Sequence, residues 1–235
     1  MMKISFSKMH GLGNDFIVID NLQAQYQLSK SLIQQMAHRK TGIGFDQLLL
    51  LEASNDKNAD FCYRIFNADG NEVEHCGNGA RCIAYYVDQN QLINKPIIRF
   101  KIKDRILFAH LENDQISINM GLPLINPGEI VFPGKQSQQQ QTIFIDQQPI
   151  NFYLVSMGNP HAVIFSKPED KLDIKTIGEY FNQPDQFESG INVSLAMIES
   201  TTAMKLQVYE RGSGLTNACG TAACAAVAMG KQLAN

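Results

Sequence analysis

Five cysteines, Cys62, Cys76, Cys82, Cys219 and Cys224, are the side chains best able to do chemistry in this sequence. An odd number, behind an N-terminal MMKISFSKMHGLGNDF that shows no signal-peptide core, argues for reduced thiols rather than a disulfide framework. Five residues separate Cys76 from Cys82 and four separate Cys219 from Cys224, so neither pair has the CxxC spacing of a zinc ribbon or a thioredoxin-like site. Cys62, inside the strand-like FCYRIF, reads as a small buried hydrophobe, as do Cys82 and Cys224. Cys76 and Cys219 are different: each precedes a small-residue segment of helical character, GNGARCIAYYV and GTAACAAVAMGKQ. A thiol at a helix N-terminus sits at the positive end of the macrodipole, which favours thiolate and lowers its pKa from about 8.5. Backbone N–H groups at the same place can hold a carboxylate, and Gly77, Gly79 and Gly220 either admit a ligand to that backbone or serve turn geometry alone.

Two such sites would grip one small acid between two thiols. A thiolate could remove a proton from carbon while a thiol delivers one to the opposite face, which inverts a stereocentre. The sequence holds no nucleotide loop, no lysine motif for pyridoxal phosphate and no metal-ligand cluster, so the expectation is chemistry with no cofactor and no metal. The carbanion would then be stabilised by hydrogen bonds to its carboxylate from the helix N-termini in a water-poor cleft.

The spacing of polar residues around the two thiols repeats. Gly13-Asn14 has a counterpart in Gly158-Asn159, and Cys76-Gly77 in Cys219-Gly220. Asn14 lies 33 positions before Gln47, as Asn159 does before Asn192; the step to the cysteine is 62 positions in one half and 60 in the other. The pattern suggests two similar halves, each presenting a cysteine and polar amides toward a shared cleft, although GN dipeptides are also common in turns. Short alternating or apolar runs (ISFSKM, DFIVID, DQLLLLE, FCYRIF, PIIRFKI, QISINM, TIFIDQQ, NFYLV, HAVIF, INVSLAMI, MKLQVYE) read as strands. Helices are expected at Ser29 to Arg39, Gly77 to Asn90, Ile174 to Asn182 and Gly220 to Gln232, giving a strand-rich mixed α/β protein. Gly121 to Pro149, with four prolines and the glutamine-rich Gln136 to Gln141, is the expected seam.

The 235 residues allow one large domain or two compact halves. With 44% hydrophobic and 18% charged residues the composition is globular, and Lys+Arg 20 against Asp+Glu 23 gives a net charge of −3. Scattered opposing charges make nucleic acid and anionic membrane poor partners. No apolar run approaches the roughly 20 residues of a membrane span. The expectation is a cytoplasmic protein.

The segments KMHGLGNDFIVID, GIGFDQLLLLE, FNADGNEVEHCGNGARC, MGNPHAV, SGINV and YERGSGLTNACGTAAC closely resemble the diaminopimelate epimerase family. That resemblance implies two α/β (α+β) halves, residues 1–120 and 121–235, each a strand-rich barrel around a central helix with the active site between them. It implies interconversion of LL- and meso-diaminopimelate for lysine and peptidoglycan-precursor biosynthesis, without a cofactor, by a homodimer. Cys76 and Cys219 would be the acid/base thiols. Gly77, Asn78, Gly220 and Thr221 would offer donors to the reacting carboxylate. Asn14, Gln47, Asn67, Asn159 and Asn192 would position the substrate. Arg211 would bind the distal carboxylate, Glu210 would meet an ammonium group, and His161 would lie close to the reacting centre.

Apart from the resemblance, a lone Asn is usually a turn or cap residue, Glu210-Arg211 a solvated pair and His161 a hydrogen-bonded structural histidine; His10, His38, His75 and His110 keep that structural reading. The chain departs from the family pattern at Ala222, where glycine is usual, and at Ile102 to Arg105 (IKDR), where the family has a TxxG turn. Relatives continue for about another 40 residues beyond the second central helix, so the second half is expected to be shortened. A racemase of another amino acid on the same scaffold, or a shortened ligand-binding or redox homologue, are the alternatives.

Overall fold

The first hairpin shows how local chemistry builds the elements. Strands β1 (Ser7–Gly11) and β2 (Asn14–Asp20) pair antiparallel with Gly11 opposite Asn14, leaving Leu12 and Gly13 as a two-residue turn. Both turn residues have positive φ, 55° and 86°, the conformation whose twist matches the flanking strands and that glycine adopts at no steric cost. The computed structural model describes residues 3–73, 76–113, 115–125, 140–187 and 189–234, and the chain divides into two units, Met1–Met120 and Gly121–Asn235.

In the first unit β2 runs parallel to β3 (Gln47–Ala53), joined by the crossover that a parallel pair requires, here α1 (Lys30–Ala37). Ser29 starts α1 by accepting from the Leu32 N–H at 3.2 Å. β3 pairs antiparallel with β4 (Phe61–Asn67), β5 (Glu72–Val73) folds back on β4, and α2 (Gly77–Gln89) follows. β6 (Ile97–Ile102), β7 (Arg105–Glu112) and β8 (Gln115–Asn119) complete the order β1-β2-β3-β4-β6-β7-β8. α2 touches β1, β2 and β3 and also β7 and β8, so the sheet curls around it. Ala80, Ile83, Ala84 and Val87, one helical stripe, pack against Phe16, Val18, Leu49, Leu51 and Tyr63. The other face carries Ile17, Ile19, Leu48 and Leu50 against Ile33 and Ala37 of α1. Burial on both faces is why FIVI and LLLL are continuous apolar runs.

The second unit has the order β14-β13-β12-β11-β10-β9, built from β9 (Gln140–Ile145), β10 (Gln148–Ser156), β11 (Pro160–Ser166), α3 (Ile174–Phe181), β12 (Asn192–Ile198), β13 (Met204–Glu210), β14 (Gly214–Thr216) and α4 (Gly220–Leu233). Asp173 caps α3, which buries Ile174, Ile177 and Phe181 against Phe152, Ala162, Ile164, Val193 and Leu195. α4 lies on β10, β11 and β12. The path β10, β11, α3, β12, β13, β14, α4 repeats β1, β2, α1, β3, β4, β5, α2, with the parallel pair in the same place. The fold is a strand-rich α+β architecture with two sheets and few helices.

Some local readings change. Ile102 to Arg105 is the tight β6–β7 turn, with Lys103 at φ 48°, and β7 and the short β5 and β14 join the expected strands. The proline-rich stretch is not all loop: Gln140 and Gln141 open β9, and Gln148 and Pro149 open β10, while Pro127, Pro133 and Gln136 to Gln139 lie outside the described residues, as does His75. Cys82 is buried, but Cys62 and Cys224 are only half-buried. Cys62 alternates with Phe61 and Tyr63 along β4, which turn their rings to the core, and Cys224 stands beside the buried stripe of α4 rather than in it. Among the described residues no helix is long and apolar enough to cross a membrane.

Candidate active site

Topology gathers the polar residues of each unit at one end of its sheet. Asn14 and Gln47 open two parallel strands, and Asn67 closes the antiparallel β4 opposite Gln47. Cys76 is the N-cap of α2. In the second unit Asn159 immediately precedes β11, Asn192 opens β12, Glu210 closes β13 and Cys219 is the N-cap of α4. The frame Asn14, Gln47, Asn67, Cys76 thus has its equivalent in Asn159, Asn192, Glu210, Cys219. Phe16, paired with Gln47, has its equivalent in His161, paired with Asn192.

Around Cys76, the Gly79 N–H donates to Sγ at 3.4 Å, and the thiol donates to Asn14 Oδ1 at 3.7 Å. The first contact favours thiolate and the second favours thiol. Asn14 Nδ2 in turn donates to Asp46 Oδ2 at 2.9 Å. Gln47 Nε2 donates to Asn67 Oδ1 at 2.9 Å, leaving the buried Gln47 Oε1 without a hydrogen-bond partner. Gly77 and Asn78 supply first-turn N–H groups, which have no acceptor within a helix. The Asn78 side chain is fixed by Arg81, whose guanidinium donates to its Oδ1 at 2.5 Å.

Around Cys219 runs a chain of hydrogen bonds. His161 Nε2 lies 3.1 Å from Asn159 Oδ1, Asn159 Nδ2 donates to Thr221 Oγ1 at 3.3 Å, and Thr221 Oγ1 lies 3.3 Å from Cys219 Sγ. Since Asn159 Oδ1 can only accept, Nε2 carries the proton, and the buried Nδ1 has no partner. Burial, with Arg211 nearby, pushes the imidazole down to about 4, so His161 is neutral at pH 7. Burial first and the Glu210 carboxylate second push the Cys219 thiol up to about 12, with the Thr221 hydroxyl pulling the other way. Glu210 Oε1 also accepts from Thr216 at 2.6 Å. Asn192 Oδ1 accepts from the Arg211 backbone N–H at 2.9 Å, and the Arg211 guanidinium donates to Ser189 O at 3.1 Å. A Cβ on Gly190 would fall 2.5 Å from Asn182 Oδ1 and 2.9 Å from Arg211 Cγ, so that segment accepts only glycine.

Each unit therefore brings its predicted residues together; Arg211 reaches the group through its backbone and Gly220 through its place at the start of α4. Three charged groups escaped the sequence reading. Asp15 and Asp46 cap each other's backbone N–H, at 2.9 Å and 3.0 Å, and Arg39 bridges both carboxylates at 2.8 Å and 2.7 Å. Arg39, with Lys8, holds the Asp15 carboxyl well below the usual carboxylate range. The signal was present, since Asp15 adjoins Asn14 and Asp46 adjoins Gln47. Among the described residues no group of three His, Cys, Asp or Glu side chains forms a metal site.

Solved structures that share this fold include the following three. A probable proline racemase from Agrobacterium radiobacter superposes with a TM-score of 0.69 at 13% identity, over 98% of this chain and 78% of that one. A hydroxyproline epimerase from Agrobacterium vitis gives 0.66 at 15%, over 97% and 77%. A Bacillus anthracis phenazine biosynthesis protein of the PhzF family gives 0.61 at 16%, over 100% and 81%. The diaminopimelate epimerase model matches residues 6–125 and 153–235, which takes in both cysteine frames. On that match, the chain belongs to the diaminopimelate epimerase family.

Proposed function

We propose that the protein is a cofactor-independent amino-acid epimerase that interconverts LL- and meso-diaminopimelate through two thiols. One observation carries the reading: each thiol is a helix N-cap whose sulfur meets groups favouring each protonation state, Gly79 N–H and Asn14 Oδ1 for Cys76, and the Thr221 hydroxyl and Ala222 N–H against the Glu210 carboxylate for Cys219. A group that must be base in one direction and acid in the other needs a partner for both protonation states.

The reaction requires both thiols to reach one α-carbon from opposite faces. A thiolate takes the α-proton and becomes thiol; the electron pair stays on the α-carbon, spread onto its carboxylate. The other thiol then gives its proton to the opposite face and becomes thiolate. N–H groups of Gly77, Asn78, Gly220 and Thr221 hold the carboxylate as charge develops there. Asn67, Asn192, Glu210 and Arg211 suit a substrate with a distal ammonium and carboxylate. In the cell such an enzyme would serve lysine and peptidoglycan-precursor synthesis in the cytoplasm, as a homodimer.

Incubating the reduced protein with LL-diaminopimelate in heavy water should yield meso product carrying deuterium at the inverted carbon. Folded protein giving neither inversion nor exchange would overturn the reading. Exchange into proline or another monocarboxylic amino acid, with none into diaminopimelate, would move it to the racemase alternative.

A further inference from the structure

The charged group beside Asn14 does more than hold a turn. Asp46 Oδ2 accepts from both Asn14 Nδ2 and the Asp15 N–H, while its Oδ1 is held by Arg39. An amide side chain can present either end to a neighbour. With Nδ2 committed to a carboxylate, Asn14 can present only its carbonyl oxygen to Cys76, and that oxygen accepts from S–H but repels S⁻. We propose that Asp46 is a positioning residue that sets the proton balance of Cys76 through the orientation of the Asn14 amide. The proposal rests on the reading of Cys76 as an acid/base thiol, but its test does not require turnover.

Of the charged and titratable groups on the elements around Cys76, Arg81 on α2 is engaged by Asn78 Oδ1. Tyr63 on β4 and Cys82 nearly two turns along α2 both feel Cys76, and burial pushes both upward so that they stay neutral. On β1 and β2, Lys8 is engaged by Asp15, and His10 pairs with Asp15 across the hairpin. Arg64, Glu72, Arg105, His110 and Glu112 of β4, β5 and β7 are exposed, and Arg64 pairs with Glu72. Arg39 is engaged by the two aspartates it bridges.

The measurement is the pH profile of Cys76 alkylation by iodoacetamide, resolved by peptide mass spectrometry so that the other four thiols do not interfere. In Asp46→Ala, Asn14 is released to turn Nδ2 toward sulfur, and the midpoint should fall by about half to one pH unit, the worth of one hydrogen bond. Loss of a nearby negative charge would also lower it, so two controls separate the causes. Asp46→Asn keeps an oxygen for Asn14 but loses the charge, and its midpoint should stay within about 0.3 of wild type. In an Asn14→Leu background, where the midpoint is already lowered, adding Asp46→Ala should move it no further. An unmoved midpoint in Asp46→Ala, or a shift of equal size with and without Asn14, would overturn the proposal. Should Asp46→Ala not fold, a fall in Asp46→Asn of more than half a pH unit, or an Asn14→Leu midpoint equal to wild type, overturns it equally. Because alkylation is read without substrate, an inactive enzyme with the expected midpoints would sink the functional reading and leave this one standing.

Discussion

Replacing His161 by a residue that cannot titrate should change how stability responds to acid. The imidazole is fully inaccessible, its Nδ1 lacks a partner, and burial, with Arg211 nearby, pushes it down to about 4 from an ordinary 6.5. The unfolded chain thus binds a proton that the folded chain refuses between those values. By linkage, stability contributed by neutral His161 is complete above pH 6.5, drains as pH falls through 6.5 toward 4, and is lost below. The 2.5-unit interval corresponds to about 3 kcal/mol, or roughly 6–12 °C in Tm for a chain of this size. In His161→Gln, Nε2 is a donor to Asn159 Oδ1 still, but the titration is gone. Tm measured from pH 7.5 to 4 in both proteins should show wild type losing that much more than the variant, whatever the carboxylates common to both contribute. Parallel curves would mean that the site admits a proton or water, and the neutral, single-tautomer histidine at the end of the Asn159–Thr221–Cys219 chain would have to be abandoned.

Other consequences are separately measurable. Cys76→Ser and Cys219→Ser should each lower kcat by roughly 10²–10⁴-fold with the fold intact by circular dichroism, since an alcohol replaces a thiol as acid and base. Glu210→Gln should lower the alkylation midpoint of Cys219 by removing the second cause of its upward displacement; a rise would contradict the charge argument. Gly178→Ala should destabilise by about 1–3 kcal/mol, despite alanine's better helix propensity, because its Cβ would lie 2.2 Å from Tyr209 Cγ; a Tm equal to wild type would show that Tyr209 moves freely.

Much of this architecture was legible in residue spacing. Positions 33 apart in both halves are the openings of two parallel strands, because a crossover of one helix has to fit between them. The stripe from Ala80 to Val87 and the N-cap thiols follow from helical periodicity and glycine placement alone. What could not be read depends on register. Phe16 pairs with Gln47, and only that pairing sets Asp15 beside Asp46 and lets Arg39, 24 positions on, bridge them. Likewise Tyr63 and Ser194 stand in apolar runs that gave no sign of the unpartnered hydroxyls they bury. The parallel strands β2 and β3 are apolar on either face, so hydrophobic pattern gives little information about which polar atom meets which at their ends.

The duplicated frame is also where the two thiols become unequal. At the place of Phe16 the second unit has His161, and at the place of Asn67 it has Glu210. A hydrocarbon and an amide in one unit are replaced by an imidazole and a carboxylate in the other, while the N-cap thiol is common to both. Cys76 is balanced between a neutral acceptor and a backbone donor; Cys219 is held toward its protonated form by burial and a charged acceptor. Proton transfer across one carbon needs one thiolate and one thiol at the outset, and a perfectly repeated pair would have no reason to divide those roles. On the proposed reading these two positions supply that difference, since the third change, Gln47 to Asn192, keeps an amide; introducing Phe16→His with Asn67→Glu should bring the alkylation midpoint of Cys76 toward that of Cys219.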